Sequence, residues 1–200
     1  ILSVACATAL FICVVALIAS VFTGINFFHV IRALKDILFL AFSTASSEAA
    51  LPGAMKRLEE LGVPKTIVTF VMPTGYSFNL DGSTLYSSAG ILFIAQLYGI
   101  QMPIEQQLLV MVTLMLSTKG IAGVPGAGII VVAATAAAFN LPTEGVAILL
   151  GIDRLLDMIR TICNVCGNCM ATVVVACWEK ELNKATFNEK YRAFLGGKNS

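Results

Sequence analysis

The stretch GIDRLLDMIRTICNVCGNCMATVVV, residues 151–175, is long and apolar enough to cross a membrane, yet it contains two aspartates, two arginines and two asparagines. At roughly 100° of rotation per residue, most of its polar side chains share one helical face. That face holds Asp153, Asp157, Arg160, Thr161, Asn164 and Asn168. Charges inside a bilayer are costly unless they face a polar interior. The pattern predicts a helix lining a small polar cavity; the alternative is a buried ion pair that only fixes helix packing.

The overall composition is that of a membrane protein. Of 200 residues, 58% are hydrophobic and 12% are charged, against about 25% charged residues in an average soluble domain. The mean hydropathy is +0.87. We therefore predict an all-α integral membrane protein surrounded by lipid. A net charge of +1 without a basic run argues against a nucleic-acid partner.

The chain opens directly on a membrane-length apolar run, without the basic region and cleavage site of a secretory signal. We interpret it as the C-terminal part of something longer.

Three of the six cysteines, Cys163, Cys166 and Cys169, have the C-x2-C-x2-C spacing of part of an iron–sulfur motif. On the helix that carries Asp157 these thiols point away from the polar face and away from one another. Binding a cluster would require that helix to break. We therefore interpret them as small packing residues and predict no cofactor.

Hydropathy and helix breakers divide the chain into six segments. We predict a transmembrane helix (1–30), a first re-entrant helical hairpin (31–65), a discontinuous transmembrane helix (66–102), a second re-entrant hairpin acting as a gate (103–145), the polar-striped transmembrane helix (146–178) and a cytoplasmic tail (179–200). The tail is assigned to the cytoplasm because its lysines and arginine outnumber its glutamates.

The first hairpin is predicted because two short apolar pieces meet at the hydroxyl-rich residues 43–48, and neither piece can span a bilayer. Irregular backbone at membrane depth is tolerated where it is packed in protein or lines water. Because residues 56–60 are strongly polar, a helical loop outside the membrane is the alternative.

The discontinuous helix is predicted from PTGYSFNLDGS, residues 73–83. Pro73 and Gly75 are expected to interrupt the helix and free backbone carbonyls. Asn79 and Asp81 add side-chain oxygens, the hard ligands that a desolvated Na⁺-like cation requires. Discontinuous helices of this kind hold coupling ions in secondary transporters.

The second hairpin is predicted from STKGIAGVPGAG, residues 117–128, which separates two further short apolar pieces. Its four glycines permit close backbone approach to a ligand and the dihedral changes of a moving gate. Ser47 precedes Asn79 by 32 residues and Gly126 precedes Asp157 by 31, the similar spacing that an inverted repeat requires.

Asp157 and Arg160 emerge from adjacent turns of one helical face. If they paired with each other, the cavity would be neutral and closed. If a ligand lies between them, it should carry an ammonium for Asp157 and a carboxylate for Arg160. Thr161 and Asn164 can add hydrogen bonds. The expected ligand is a zwitterion with an additional carboxylate, an acidic amino acid.

Three motifs carry a family resemblance: GYSFNLDGSTLY at residues 75–86, STKGIAGVPGAG at 117–128 and GIDRLLDMIRTICNVCGN at 151–168. They closely resemble the dicarboxylate/amino acid:cation symporters, in particular the bacterial glutamate/aspartate carriers. The resemblance implies the transport domain of an elevator-type homotrimer in the inner membrane. It also implies import of glutamate or aspartate coupled to Na⁺, H⁺ or both.

The resemblance implies roles for individual residues. Asp157 would hold the substrate ammonium, Arg160 its side-chain carboxylate, and Thr161 and Asn164 the rest of the amino acid. Further substrate-binding candidates are Ser46 and Ser47 in the first hairpin tip, Ser83 in the broken helix, and Val124 and Gly128 in the second hairpin. Cation sites would use Gly75, Asn79, Asn164 and Asn168, then Ser77 with the backbone near Thr118, and finally Asp81 with upstream residues.

The chain departs from this pattern at several positions. Leu80 stands where strictly sodium-driven relatives have methionine, Asn168 replaces an aspartate of some relatives, and Ser87 replaces the proton-carrying glutamate of animal relatives. The coupling ion is therefore left open. Asp157 separates the chain from the C4-dicarboxylate carriers, which have serine there. Those carriers are the first alternative, and a ligand-gated channel or receptor is another; no nucleophile paired with a base suggests an enzyme.

Overall fold

The computed structural model describes residues 1–119 and 125–196. Within these ranges the chain forms eleven α-helices and no β-strand. The helices are α1 (Leu2–Thr23), α2 (Phe27–Ala33), α3 (Lys35–Thr44), α4 (Ser47–Glu60), α5 (Lys65–Phe78), α6 (Asp81–Leu97), α7 (Ile104–Ser117), α8 (Ala127–Ala138), α9 (Glu144–Leu150), α10 (Asp153–Trp178) and α11 (Lys184–Gly196). Of the described helices, α1 and α10 are long and apolar enough to cross a membrane.

The polar-striped helix α10 is the axis around which the other helices pack. It packs against α1, α3, α4, α5 and α6, and Gly82 of α6 lies against Arg160, Cys163 and Asn164. Fifteen of its 26 residues are buried, including six with polar or charged side chains. A helix buried on most sides must satisfy its polar groups within the protein. The polar groups of α10 therefore need hydrogen-bond partners from the neighbouring helices.

Two separate hydrophobic cores lie at the two ends of α10. The first joins α2, α3, α4 and the start of α5 to the C-terminal half of α10, where Cys166, Cys169 and Val173 are buried. The second joins α6, α7, α8 and α9 to the start of α10 at Leu156. The polar residues of α10 between Leu156 and Val165 therefore lie where the two cores meet.

The first predicted hairpin corresponds to α3 and α4. The helix α3 ends at Ala45, whose φ of 50° is left-handed, and the side chain of Ser46 accepts a hydrogen bond from the backbone N–H of Ala49 at 3.3 Å. A left-handed residue followed by a serine N-cap closes one helix and starts the next. The tip is therefore a two-residue turn, shorter than the six-residue tip expected from the sequence.

The interruption of the discontinuous helix lies later than the sequence predicted. Pro73 and Gly75 are both inside α5, and the helix ends at Phe78. Asn79 and Leu80 have non-helical backbone angles, and α6 starts at Asp81. Proline costs α5 one backbone hydrogen bond without ending it. The break instead coincides with the contacts of the Asn79 side chain to α10 and Asp81.

The second predicted hairpin corresponds to α7 and α8. Residues 120–124, including the candidate Val124, lie outside the described residues. Gly126, with a φ of 81°, precedes α8 directly. The left-handed conformation at this position requires glycine or a strained side chain.

The C-terminal tail contains a helix that the sequence analysis did not predict. In α11, Phe187 and Tyr191 are buried against the first core. The ring of Tyr191 stacks on His29 with ring centroids 4.5 Å apart, and the Arg57 guanidinium lies 4.4 Å above the ring of Phe194. His29 is thus a packing residue for α11. The helix was not predicted because the sequence of the tail is polar on average, and only one face of α11 is apolar.

We expect Phe187→Ala to destabilise the protein by about 3–5 kcal/mol, because it removes a fully buried ring between α11 and the first core. Phe187→Leu, which keeps most of the volume, should cost less than about 1.5 kcal/mol. Thermal unfolding of the purified protein in detergent measures both changes. An unchanged midpoint for the alanine variant would show that α11 is not docked.

Candidate functional site

The site is built where the first turn of α6 meets the middle of α10. Gly82 makes this approach possible: a Cβ at Gly82 would lie 2.7 Å from Cys163 Cβ and 3.1 Å from Asn164 Oδ1. The backbone N–H of Gly82 donates to Asn164 Oδ1 at 2.9 Å. One of the free N–H groups at the start of α6 is thereby satisfied from α10. The helix break thus places the residues after Leu80 directly against the polar face.

At the centre of the site, Asp157 and Arg160 form an ion pair. Arg160 Nη2 lies 2.5 Å from Asp157 Oδ1, and each residue is at most 3% exposed. A buried ion pair is stabilising only if its remaining donors and acceptors are also satisfied. The second contacts of each partner therefore matter as much as the pair itself.

The second contacts of Arg160 lead to α6. Arg160 Nη1 donates to Ser83 Oγ at 3.2 Å, and Asn164 Nδ2 donates to the same oxygen at 3.1 Å. Arg160 Nε is buried and has no hydrogen-bond partner among residues 1–119 and 125–196. Ser83 is therefore the acceptor for two groups of α10, while part of the guanidinium remains available for a further acceptor.

The second contact of Asp157 leads to the second hairpin. The backbone N–H of Gly126 donates to Asp157 Oδ2 at 2.9 Å. Two residues later, Gly128 lies against Tyr86, where a Cβ would be 2.9 Å from Tyr86 Cε1 and 3.7 Å from Arg160 Nη1. The second hairpin therefore reaches both members of the ion pair through its backbone.

Hence one small region contains a carboxylate, a guanidinium and a side-chain amide from α10, a hydroxyl from α6 and a backbone N–H from the second hairpin. A carboxylate binds ammonium groups, and a guanidinium binds carboxylates through two parallel hydrogen bonds. The observed ion pair is the closed alternative considered from the sequence, in which the two charges satisfy each other. A ligand with both charges can replace each partner without leaving the other buried and unpaired.

A second, oxygen-rich group lies at the helix break. With the amide nitrogen of Asn79 turned toward Asp81, it donates to the two carboxylate oxygens at 2.8 and 3.2 Å, and its oxygen lies 3.0 Å from the Asn168 side chain. Gly75 leaves the space that Asn168 fills, since a Cβ there would overlap with Asn168 Oδ1. The predicted cation ligands Gly75, Asn79, Asp81 and Asn168 are therefore neighbours, and their oxygens are of the kind that alkali cations prefer.

Two other predicted residues make contacts within the chain. Thr118 is buried and donates to Leu114 O at 2.7 Å, and its hydroxyl lies 3.1 Å from that of Thr84. Thr161 is 1% exposed and donates to Asp157 O at 2.8 Å. The Thr118 hydroxyl links the end of α7 to α6. The Thr161 hydroxyl donates to the backbone of α10 itself.

The remaining predictions are placed less directly. Ser46 caps α4, and Ser47 is buried in the first turn of that helix. Among the described residues, the first hairpin tip is linked to α10 by Arg154 Nη2, which donates to Thr44 O at 3.4 Å. Ser77 is exposed in the last turn of α5. Neither serine of the tip is within hydrogen-bonding distance of the Asp157–Arg160 pair in the described part of the chain.

Sequence reasoning missed Tyr86, which is 1% exposed and donates to Asp153 Oδ1 at 2.5 Å. Its ring also forms the surface against which Gly128 packs. Asp153 was assigned to the polar face, but nothing in the local sequence connected it to a tyrosine 67 residues earlier. The available signal was the position of Tyr86 one helical turn after Ser83, on the same face of α6.

Comparison with known proteins gives consistent matches. Residues 1–178 match the profile of the sodium:dicarboxylate symporter family. A proton/sodium-glutamate symport protein of Geobacillus stearothermophilus is 55% identical over 161 residues, which cover 80% of this chain and 38% of the relative. A proton/glutamate-aspartate symporter of Escherichia coli is 50% identical over 173 residues, covering 86% of this chain and 40% of the relative.

A third relative, a C4-dicarboxylate transport protein of Rhizobium johnstonii, is 44% identical over 189 residues, covering 94% of this chain and 42% of the relative. The chain spans about two fifths of the length of these relatives.

We expect Gly82→Ala to destabilise the protein by about 1–3 kcal/mol, because the new methyl group would overpack the contact between α6 and α10. Gly53→Ala in α4 is the matched control, since its Cβ would meet its nearest neighbour at an ordinary 3.5 Å. The control should be neutral or slightly stabilising, as alanine is the better helix former. Equal thermal midpoints for the two variants would contradict the close approach at Gly82.

Proposed function

Because this chain belongs to the sodium:dicarboxylate symporter family, we propose that it binds an acidic amino acid and carries it across a membrane together with Na⁺, H⁺ or both. The single observation that carries the proposal is the convergence of the Ser83 hydroxyl of α6 and the Gly126 N–H of the second hairpin on the buried Asp157–Arg160 pair. The pair lies between two hydrophobic cores and is reached by the second hairpin at Gly126.

The substrate class follows from the charges that a ligand must replace. Removing one partner from a buried ion pair leaves an uncompensated charge, which costs roughly 3–5 kcal/mol. A ligand that separates the pair must therefore offer an ammonium to Asp157 and a carboxylate to Arg160. Ser83, Thr161 and Asn164 remain to bind the second carboxylate. Glutamate and aspartate carry this set of groups, and two of the relatives are named as carriers of glutamate.

A C4-dicarboxylate is the second candidate, favoured by the 44% identical relative that carries that name. Such a ligand has two carboxylates and no ammonium. It would place a negative charge beside Asp157, which is 2% exposed, and like charges repel strongly in a buried site. The aspartate at this position therefore favours an amino acid over a dicarboxylate.

The architecture proposed for transport is that of two re-entrant hairpins around a fixed site. At about 1.5 Å per residue, the 10 residues of α3 and the 14 residues of α4 and of α7 are each too short to cross ~30 Å of hydrocarbon. In the proposed arrangement the segments are 1–30, 31–65, 66–102, 103–145 and 146–178, with a cytoplasmic tail from 179 to 200. The second hairpin is the gate because its backbone closes on Asp157.

The wider assembly is proposed from the family resemblance alone. It consists of an elevator-type homotrimer in the bacterial inner membrane, with the C-terminus in the cytoplasm. The chain would supply the part of each protomer that moves with the substrate.

The coupling ions are proposed to bind at the oxygen-rich group next to the substrate. Asn79, Asp81 and Asn168 offer amide and carboxylate oxygens within a few ångströms of one another. Half-helix ends and unwound backbone coordinate coupling ions in secondary transporters. Asn164 lies between this group and the ion pair, so substrate and cation binding would share one helix face.

Arg160→Ala should abolish high-affinity binding of aspartate and glutamate while sparing neutral amino acids such as serine. Loss of a buried, hydrogen-bonded charge partner is expected to cost about 2–5 kcal/mol of binding free energy. Competition against labelled substrate in proteoliposomes containing the full-length protein measures this. Equal losses for acidic and neutral competitors would contradict the assigned role.

Asp157→Asn should change the substrate class. Removing the negative charge abolishes the partner of the substrate ammonium, so succinate should compete better relative to aspartate than it does in the parent protein. Ser43→Ala, at the exposed end of α3, is the control and should leave the ratio unchanged. A ratio that is identical in parent and Asp157→Asn protein would assign the ammonium to another group.

Uptake of labelled aspartate into proteoliposomes, driven in turn by a sodium gradient and by a proton gradient, tests the proposal as a whole. Concentrative uptake under either gradient supports symport. Flux that never exceeds equilibration indicates a channel, and binding without flux indicates a receptor.

A further inference from the structure

The break between α5 and α6 contains a positive charge that the mechanism described so far does not use. Lys119, the residue directly after Thr118 at the end of α7, donates from Nζ to Phe78 O, the last carbonyl of α5. Asp81, the first residue of α6, follows Phe78 by three positions. The ammonium therefore contacts the C-terminal end of α5 close to the start of α6.

The contacts of the preceding residue hold the start of the Lys119 side chain close to the helix break. Thr118 is fully buried, donates to Leu114 O and pairs with the hydroxyl of Thr84 in the first turn of α6. Thr84 in turn donates to Leu80 O at 3.3 Å. The end of α7 is thus anchored at the start of α6, and the next side chain along the chain spans the break to reach the end of α5.

A helix C-terminus carries about half a negative charge on its free carbonyls. In secondary transporters, the C-terminal ends of half-helices coordinate the coupling cation. The second cation site expected from the sequence used Ser77 and the backbone near Thr118, which is the same end of α5. In this structure the lysine ammonium already provides a monovalent positive charge there.

The first hairpin shows the same arrangement with a different cation. Arg154 Nη2 donates to Thr44 O, the last carbonyl of α3, at 3.4 Å. The C-termini of α3 and α5 are therefore each contacted by a positively charged side chain. Lysine and arginine near a helix C-terminus are favourable for the same reason that a free cation is.

The geometry points to Lys119 as a tethered cation that takes the place of one coupling Na⁺ at the C-terminal end of α5. The inference rests on the proposed symport function and specifies its ion requirement. Because the lysine ammonium occupies this position, the protein needs one dissolved Na⁺ fewer.

The test is the number of ²²Na⁺ ions bound by the purified full-length protein, measured at saturating Na⁺ on material that elutes as one species. Lys119→Ala removes the charge and leaves space. Lys119→Gln removes the charge, but its amide can still donate to Phe78 O. Both neutral variants should bind about one more Na⁺ per chain than the parent, because the free carbonyl and Asp81 then attract a cation.

Two controls separate charge from position. Lys119→Arg keeps the positive charge and should bind the same number of ions as the parent. Lys65→Ala removes an exposed lysine from the opposite end of α5 and should also leave the number unchanged. An unchanged ion number in either neutral variant overturns the inference and reduces Lys119 to a helix cap.

The number of bound Na⁺ ions is measured without transport. A failure of this inference can therefore be distinguished from a failure of the proposed symport function. That failure would appear as a lack of aspartate uptake by the parent protein in proteoliposomes, whatever the ion number.

Discussion

The cost of burying the charges of α10 is the constraint on which the rest of the structure depends. Asp157 and Arg160 are almost fully enclosed, and a charge in such surroundings must be paired and hydrogen-bonded. One pair is insufficient, because each group has more donors or acceptors than its partner can satisfy. The additional partners, Ser83 and the backbone of Gly126, come from an interrupted helix and from a hairpin. The helix breaks are thus the means by which polar groups reach the centre of an otherwise apolar structure.

In the transport mechanism proposed above, the same breaks connect ligand binding with movement of the second hairpin. A hairpin that satisfies Asp157 through a single backbone N–H would leave when a ligand supplies its own donor. Glycines at 126 and 128 allow this segment to lie against Tyr86 and the ion pair without a side chain in between. By contrast, α11 packs the aromatic residues Phe187 and Tyr191 against the first core. The C-terminal helix is therefore held against the first core by buried aromatic side chains.

Positive charge is expected at the ends of the half-helices in two forms, as bound coupling ions and as charged side chains. The oxygen atoms of Asn79, Asp81 and Asn168 form one group, while Lys119 contacts the adjacent helix end. The two arrangements use the same electrostatic property of unpaired carbonyls and carboxylates. Whether a fixed ammonium or a dissolved ion neutralises them determines how many ions a transport cycle must move. The departures at Leu80 and Asn168, noted from the sequence, concern the same region.

The sequence by itself determined the helical class, the membrane setting, the polar face of α10 and the pairing of short helices around polar tips, because hydrophobic periodicity and the cost of buried charge are local properties. It identified Asp157, Arg160 and Asn164 for the same reason. It misplaced the break in the discontinuous helix, since proline alone does not end a helix whose neighbours support it. It also missed α11, whose apolar face is visible only when Phe187 and Tyr191 have a surface to cover.

Only the tertiary structure decided that Asp157 and Arg160 pair with each other and that Ser83 accepts from both Arg160 and Asn164. It also decided that Gly82, Tyr86 and Lys119 contact residues far away in the sequence. These contacts join residues that are 31 to 82 positions apart along the chain, with the exception of the ion pair itself. Contacts between residues so far apart in the sequence depend on how the helices pack. Side-chain type and local spacing specify which groups need partners, and packing specifies which partners they obtain.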